Sequence, residues 1–148
     1  MNDFTRYVIL FATFAFPIIL WCGIMMVAGR LSGWLALADR YRCTEPFEGQ
    51  RWHFQSAQLR WATNYSGILT VGVSAEGMFV SPMIFFRVGH PTLFIPWSAM
   101  QMEMKQSRWQ GEYMEIRFPE VPGTLMRISA RLARKIATAV GPQLPQAS

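Results

Sequence analysis

Histidine is the residue in this chain that would most readily take part in metal binding or catalysis. His53 and His90 stand far apart, and neither has a cysteine or carboxylate near it at the spacing of a metal ligand. A zinc site needs three or four such ligands, so we expect no metal. We interpret both histidines as structural or exposed residues. His90 follows Gly89 at a predicted turn tip, where we expect few neighbours to orient it.

Serine and glutamate give little support for an active site. Ser81 precedes a proline and Ser98 follows a tryptophan, and neither has the Gly-x-Ser-x-Gly setting that exposes an attacking hydroxyl. Glu112 and Glu115 are three residues apart on a predicted strand, so they point to opposite faces and make a poor acid/base pair. Glycines occur singly, without a phosphate-cradling loop. We therefore predict a protein that is not an enzyme, with no catalytic residue and no cofactor.

Methionines and arginines could each mark a binding site. Met100, Met102 and Met104 alternate with polar residues; thioethers suit copper, but methionines along one strand face are more typical of a core. Twelve of the fourteen basic residues are arginine, and the formal net charge is +5. The basic residues are scattered and the aromatic residues fit core strands, so we expect no nucleic-acid partner.

The elements that position these residues begin with an apolar segment near the amino end. The chain is 51% hydrophobic and 16% charged, which is too apolar for an ordinary soluble domain. No side chain from Tyr7 to Gly29 is charged, and as a helix this segment would reach about 34 Å, enough to cross a hydrocarbon core of about 30 Å. Pro17 is tolerated in membrane helices. We predict that residues 1–30 form a short tail and a retained transmembrane helix.

A cleaved signal peptide is the main alternative for this segment. Val27-Ala28-Gly29 loosely resembles a cleavage site. However, the apolar run is too long, and the first six residues have balanced charge instead of a basic start.

Arginines flank the segment unevenly. Only Arg6 precedes it. The positive-inside rule places the arginine-rich C-terminal part in the cytoplasm and the N-terminus outside, so we expect a single-pass inner-membrane protein. Neither Cys22 nor Cys43 suggests a disulfide framework. The arginines that follow the segment closely are Arg30, Arg40, Arg42, Arg51 and Arg60.

Residues 31–51 are predicted to form a juxtamembrane amphipathic helix and a linker. Apolar residues recur at helical spacing from Leu31 to Tyr41, and Ser32 can cap the start. This helix either lies in the membrane interface, with Trp34 and Tyr41 as anchors at headgroup level, or packs on the following domain. Residues 43–51, CTEPFEGQR, are turn-rich and read as the linker.

From Trp52 the hydrophobic period changes to two, which predicts strands. Alternation marks 57–61, 100–104 and 113–118, while 68–73 and 78–86 are apolar runs, the latter as one strand or two joined at Pro82. We interpret residues 86–100, FRVGHPTLFIPWSAM, as part of a hairpin in which Phe85 and Phe86 end one strand.

The period changes back to helical near the C-terminus. Ser129 caps a helix over ARLARKIATAV, Gly141-Pro142 ends it, and 142–148 form a tail. The predicted fold class is α+β: an N-terminal transmembrane helix, then a small antiparallel β-barrel or sandwich over residues 52–141 that is closed by a C-terminal helix.

Two stretches of this β domain resemble the bacterial pleckstrin-homology-like (PH-like) domains. Residues 74–80, SAEGMFV, resemble the family's glycine followed by an apolar strand; residues 93–100, LFIPWSAM, resemble its Ile-Pro-Trp/Tyr-Ser-x-Ile pattern, with Met100 where isoleucine is usual. The resemblance implies a small barrel, a habit of binding lipid or protein, and no catalytic residues. Another small barrel, such as an OB-like one, is the alternative fold.

These observations predict a membrane-anchored, non-catalytic interaction module that binds a protein partner or anionic lipid headgroups. Cationic residues near an anionic leaflet are worth roughly 1 kcal/mol each, although the same residues also act simply as topology determinants. Besides the lipid bilayer, we expect one unidentified protein partner and no metal. The candidate anionic-lipid contacts are Arg30, Arg40, Arg42 and Arg51.

The alternative is a small structural or accessory subunit of a larger inner-membrane complex. Its transmembrane helix would then be the interface, with Gly23 allowing close approach of a second helix. The larger residues of that interface would be Phe14, Trp21, Met25 and Met26.

Overall fold

The computed structural model describes residues 2–60 and 63–141. Trp61, the end of the predicted 57–61 alternation, lies outside the described residues, as do Pro142 and the tail at 142–148. The described helices are α1 (Asp3–Leu31), α2 (Trp34–Tyr41) and α3 (Ala130–Val140). The strands are β1 (Gln50–Leu59), β2 (Thr63–Val73), β3 (Gly77–Pro82), β4 (Leu93–Pro96), β5 (Gln101–Ser107), β6 (Gly111–Arg117) and β7 (Leu125–Ser129).

Helix α1 is long and apolar enough to cross a membrane, by its length and composition. It runs unbroken through Pro17 for 29 residues, and only 6% of its most apolar window is buried against the rest of the chain. Its C-terminal end is capped by Arg60, the residue after β1, because the Arg60 guanidinium donates to the Leu31 carbonyl at 3.0 Å. A cation bonded to the last carbonyls also suits the negative end of the helix dipole.

Helix α2 begins at Trp34 and not at Leu31 as predicted. Leu31 completes α1, and the chain reverses through Ser32 and Gly33 before the second helix starts. Gly33, not Ser32, is the N-cap of α2, and no side chain caps the helix; the Ser32 hydroxyl, one residue earlier, accepts from the Trp34 amide at 3.3 Å. Trp34 and Leu37 are wholly buried, so the apolar stripe of α2 packs on the β domain.

All seven strands form one curled antiparallel sheet with the order β4-β3-β2-β1-β7-β6-β5. The pairing of β1 with β7, through Ala57↔Ile128 and Leu59↔Met126, joins the first four strands to the last three. Strand β7 has no counterpart in the sequence prediction. It has only five residues, and the last of them, Ser129, is also the cap of α3.

Helix α3 packs on β2, β6 and β7. The Ser129 hydroxyl accepts from the Leu132 amide at 3.2 Å, as the sequence predicts, and Leu132 and Ile136 are buried. The α+β class, with an N-terminal apolar helix and a C-terminal helix on an antiparallel sheet, is confirmed. The core it encloses includes Trp34, Leu37, Leu59, Leu69, Met78, Leu93, Ile95, Ile116, Met126 and Ile136.

The predicted hairpin is present, but its first strand ends earlier than expected. Strand β3 stops at Pro82 and pairs with β4. Between them lies a 3-10 turn over Ile84–Phe86, in which the Phe86 amide donates to the Met83 carbonyl at 2.8 Å. Phe85, predicted as a strand residue, is 73% exposed.

The predicted alternation of buried and exposed residues in β5 and β6 is only partly correct. Met100 and Met102 are buried as expected, whereas Met104 is exposed. Glu115, predicted on the wet face of β6, is buried because three cationic side chains surround its carboxylate.

Candidate functional site

An open cleft of about 600 Å³ is the main concave site near the polar residues singled out from the sequence. Its walls come from the end of α2, the linker at 42–48, the turn at 74–76 between β2 and β3, and β4. The linker is tied to β4, because the Cys43 amide donates to the Thr92 carbonyl at 2.8 Å and Arg42 forms an isolated bridge with Leu93.

Phe47 fixes the linker wall of the cleft. Its ring is 8% exposed, lies over Gly72, and stacks on Phe79 with centroids 4.6 Å apart. The Arg51 guanidinium covers the ring at 5.5 Å and donates to the Phe47 carbonyl. The segment predicted as a linker is therefore a fixed wall in this structure. Only the aromatic residue in an otherwise polar stretch could have signalled this from the sequence.

The cleft has mixed charge. Two arginines, Arg40 and Arg42, and three glutamates, Glu45, Glu48 and Glu76, line it. The Arg40 guanidinium is also paired with Glu120, which does not line the cleft. The cleft therefore does not form a simple pocket for an anion.

Glu120 joins the end of α2 to the loop after β6. Its carboxylate accepts from Arg40 at 3.2 Å and from the Tyr41 hydroxyl at 3.1 Å. Burial raises the pKa of Tyr41, and the hydrogen bond to Glu120 and its charge raise it further against the opposing charge of Arg40. The Tyr41 hydroxyl therefore keeps its proton and acts as a donor.

The four arginines predicted to contact lipid are not all in one place. Arg40 and Arg42 share the cleft, and Arg51 lies on the neighbouring strand β1, with its guanidinium over the Phe47 and Phe79 rings. Arg30 is exposed in the last turn of α1.

The ends of the strands show which side of the domain faces α1. Arg60, at the end of β1, donates from its backbone to the Leu125 carbonyl and from its side chain to the Leu31 carbonyl. The connection from β3 to β4 lies against the same part of α1 through Gly89 and Met26. The 74–76 turn is at the opposite end of β2 and β3. The cleft thus opens at the end of the sheet remote from α1.

The proposed membrane anchors Trp34 and Tyr41 are in the protein interior. Trp34 is 0% exposed and its indole nitrogen donates to the Pro91 carbonyl at 2.8 Å; Tyr41 is 8% exposed. A fully enclosed ring is not free to lie among headgroups. The second of the two alternatives, packing of this helix on the domain, is the one the structure shows.

His90 is also buried, contrary to the expectation of a poorly oriented residue at a turn tip. It is 0% exposed, with its Nε2 2.8 Å from the Tyr65 hydroxyl and its Nδ1 3.1 Å from the Val88 carbonyl. The Tyr65 hydroxyl in turn bonds Ser32 at 2.9 Å. The sequence could not show this, because these partners come from β2 and the α1–α2 reversal.

The chemistry open to this buried group is limited by access. Burial lowers the pKa of His90, although its hydrogen bond to Val88 partly opposes this, and burial raises the pKa of Tyr65. Both groups are therefore neutral near pH 7. Neither lines the cleft, so the Ser32–Tyr65–His90 network serves to join α1 and α2 to the sheet.

The remaining candidate residues do not gather into a site. Ser81 is buried and bonded to Thr92 at 3.1 Å, Ser98 is exposed, and His53 is exposed with Thr70 at 3.0 Å. Within residues 2–60 and 63–141, no group of three or more histidines, cysteines or acids is placed to hold a metal ion.

Comparison with protein-family models gives no match to this sequence. Comparisons with curated proteins and with solved structures give no match either. Function is therefore inferred from the residues and contacts of this chain.

Proposed function

We propose that this chain is a membrane-anchored, non-catalytic interaction module. In this proposal α1 crosses the bacterial inner membrane, and a PH-like domain in the cytoplasm presents its cleft to a protein partner. The main support is a single geometric relation: the largely uncovered apolar helix joins one end of the sheet, and the open cleft lies at the other end.

The position of the cleft favours a protein partner over lipid headgroups. Strand β3 has six residues, which at about 3.3 Å per residue separate its two ends by roughly 20 Å. Headgroups near the end of α1 would therefore not reach Arg40 or Arg42. Only Arg30, of the four predicted lipid contacts, lies at the α1 end.

The lining of the cleft also suits a protein segment. Phe47, Phe94, Pro46 and Pro96 supply apolar surface beside the two arginines and three glutamates. Protein interfaces combine apolar and aromatic area with a polar rim in this way. An anionic headgroup would meet more acidic than basic side chains there.

Site-specific photocrosslinking in living bacteria tests this proposal. A photoreactive amino acid replaces Thr44, which lines the cleft, or Gln110, an exposed residue of the β5–β6 turn, as the matched control. We expect a discrete protein adduct from position 44 that is absent from position 110. Arg42→Glu should reduce its yield several-fold, because it reverses a charge in the cleft. Adducts to phospholipid at position 44, or identical patterns at both positions, would contradict a protein partner in the cleft.

The alternative role as a subunit of a membrane complex has support from one surface of α1. A Cβ built on Gly23 meets nothing within 4 Å, and an apolar groove around it is lined by Ile19, Leu20 and Val27. Small residues in such a groove let a second helix approach closely. Two of the predicted interface residues, Trp21 and Met25, instead contact or are covered by the protein's own domain.

Substitution on two faces of α1 tests the subunit role. Gly23→Leu should abolish co-migration with a partner in native gels of mild detergent extracts. Ile18→Phe, about 140° around the helix from Gly23 and outside the groove, is the control and should retain the partner. Co-migration that survives Gly23→Leu would rule out this groove as the interface.

A further inference from the structure

The connection between β3 and β4 carries large exposed apolar residues that lie beside α1. We call residues 83–88 the 83–88 loop. Its exposed fractions are 38% for Met83, 69% for Ile84, 73% for Phe85 and 37% for Val88. A contiguous apolar patch of this kind is unusual on a surface that faces only water.

This loop is docked on α1. The Trp21 indole nitrogen donates to the Phe85 carbonyl at 3.1 Å, and the Trp21 and Phe86 rings meet edge to face with centroids 5.4 Å apart. Next to the loop, the Cα of Gly89 faces the Met26 backbone so closely that a Cβ there would lie 2.7 Å from the Met26 Cα. The loop thus follows the surface of α1 from Met26 back to Trp21.

The length of α1 leaves freedom for where the bilayer ends. Its 29 residues extend about 44 Å, and the part from Asp3 to Trp21 extends about 28 Å, close to the hydrocarbon thickness of about 30 Å. In that placement the Arg6 side chain extends to the outer headgroups. Trp21 lies about 15 Å from the Leu31 end. The extent of the uncharged sequence alone would place the edge of the hydrocarbon core on the domain side at Arg30.

Contacts with the domain place the boundary further from Arg30. Met25 and Gly29 are buried by the protein, and the backbone of Gly89 faces them. Irregular backbone is not tolerated where it meets lipid tails, so this part of α1 lies outside the hydrocarbon core. Tryptophan is enriched at membrane interfaces, and Trp21 has its indole N–H satisfied by the loop.

We propose that the 83–88 loop inserts its apolar tip, Ile84 and Phe85, into the interfacial layer of the bilayer that α1 crosses. The occupant of this patch is phospholipid, and the hydrocarbon boundary on the domain side lies near Trp21. Arg87 is exposed beside the tip, where its cation meets headgroup phosphates. This inference rests on the proposed membrane anchoring.

Depth-dependent quenching of a fluorophore in the full-length chain tests the insertion. A Cys22→Ala, Cys43→Ser background receives one cysteine at Phe85 or at Ile84, each labelled with an environment-sensitive dye. Phe11→Cys reports on α1. Trp109→Cys is the aqueous control: Trp109 is 91% exposed in the β5–β6 turn, at the opposite end of β6 from Arg117, which pairs with Leu125 near α1.

The labelled proteins are reconstituted in vesicles of phosphatidylcholine and phosphatidylglycerol that contain nitroxide lipids. We expect dyes at positions 84 and 85 to be quenched at least about twofold more than the dye at 109, and most by nitroxides near the headgroup, as interfacial residues are. The dye at position 11 should be quenched most by nitroxides deep in the acyl chains.

The outcomes separate this inference from the anchoring on which it depends. Quenching at 11 without quenching at 84 and 85 overturns loop insertion and leaves the anchor intact. A dye at 85 that is shielded from aqueous iodide but not quenched by nitroxide lipid indicates a protein on the patch, and also overturns it. If position 11 is not quenched either, the anchoring itself fails.

Discussion

The buried imidazole of His90 joins three parts of the chain. It bonds the Tyr65 hydroxyl and the Val88 carbonyl, and Tyr65 continues the chain of hydrogen bonds to Ser32 at the end of α1. The Trp34 and Tyr65 rings also contact the imidazole edge to face, each with its centroid 5.4 Å away. Protonation would place a positive charge in this enclosed position.

We therefore predict that the free energy of unfolding falls as the pH decreases below the pKa that His90 has in the unfolded chain. Burial lowers the pKa of His90 in the folded protein, so the unfolded chain binds more protons below about pH 6.5. Stability is complete above that pH and decreases towards the folded pKa, by at most about 1.4 kcal/mol per pH unit. Urea titrations of the full-length protein in detergent micelles between pH 5 and 8 measure this slope.

Substituting each histidine separates their contributions. His90→Gln should flatten the pH dependence between 5 and 7, whereas the exposed control His53→Gln should leave it unchanged. A flattened pH profile in the His53 variant alone would show that His53, and not His90, causes the pH dependence.

Glu115 is a buried carboxylate whose pKa is also shifted. Burial by itself raises the pKa of Glu115, but hydrogen bonds from Lys105 and Arg117, with their charges, outweigh it and leave the pKa below its usual value. The bonds are 3.0 Å from Lys105 and 2.9 Å from Arg117 Nε, and Arg127 lies at 3.8 Å. The carboxylate therefore binds β5, β6 and β7 together.

We expect Glu115→Gln to lower the free energy of unfolding by about 2 kcal/mol, because it removes the counter-charge of three cations. The value is below that for a fully buried pair, since Lys105 and Arg117 are partly exposed. The exposed pair Glu112–Arg134 offers a control, and Glu112→Gln should cost at most about 0.5 kcal/mol. Equal losses at pH 7 would contradict the role of Glu115.

The pH dependence of Glu115 has the same sign as that of His90 but a more acidic range. Its folded pKa is depressed, so its contribution is complete above about pH 4.3 and is lost as the pH falls through the folded value.

At the scale of elements, the contact between α1 and the β3–β4 connection depends on Gly89. Its φ is +71°, and a Cβ would lie 2.7 Å from the Met26 Cα and 2.9 Å from the Met25 carbonyl oxygen. Gly123 has a similar φ of +83° with nothing within 4 Å of its Cβ position. The two glycines therefore share the backbone requirement but differ in the close approach.

We predict that Gly89→Ala costs clearly more stability than Gly123→Ala. The control pays only the left-handed backbone penalty of about 1 kcal/mol, whereas Gly89→Ala should lose about 2 kcal/mol beyond that through the clash with α1. Trypsin should also cleave faster after Arg87 in the Gly89 variant, because the loop leaves the helix. Equal stability and equal cleavage in the two variants would show that the contact is not tight.

Local patterns predicted most of the elements. The period of two, the apolar run of α1 and the Ser129 cap depend on neighbouring residues, which is why the predicted β5, β6 and α3 lie close to their observed positions. Strand β2 begins at Thr63, five residues before the predicted 68–73. Pro82 marks a possible break, but the apolar run continues past it to Phe86, so the pattern does not predict the 3-10 turn. The sequence also could not separate a membrane-facing Trp34 from a buried one, since both suit the same helical stripe.

The site was less predictable than the fold. Arg40 and Arg42 were identified, and the cleft brings them together, but their glutamate neighbours come from the linker and from the 74–76 turn. Likewise, His90 and Glu115 each have one partner two residues away, but their other partners, Tyr65 and Lys105, are at least ten residues away along the chain. Such contacts follow from the topology of the sheet, which a single sequence does not specify.

At the scale of the whole molecule, the proposed orientation predicts which side of the membrane each end occupies. In a background without Cys22 and Cys43, Trp109→Cys should react with a membrane-impermeant maleimide only in inverted vesicles, and Asn2→Cys only in intact spheroplasts. Both positions are exposed, so accessibility depends on the membrane and not on the fold. The reverse pattern would place the domain in the periplasm, and labelling of both positions in spheroplasts would contradict a single crossing.

The direct junction between α1 and the domain has a mechanical consequence. The two are joined by the Arg60 bond to Leu31, by Gly89 against Met26 and by the Ser32–Tyr65–His90 bonds, without a flexible tether between them. Helices adjust to bilayers of different thickness by tilting. If α1 crosses the membrane as proposed, the domain would tilt together with α1 in a thinner bilayer, and the mouth of the cleft would change its direction relative to the membrane plane.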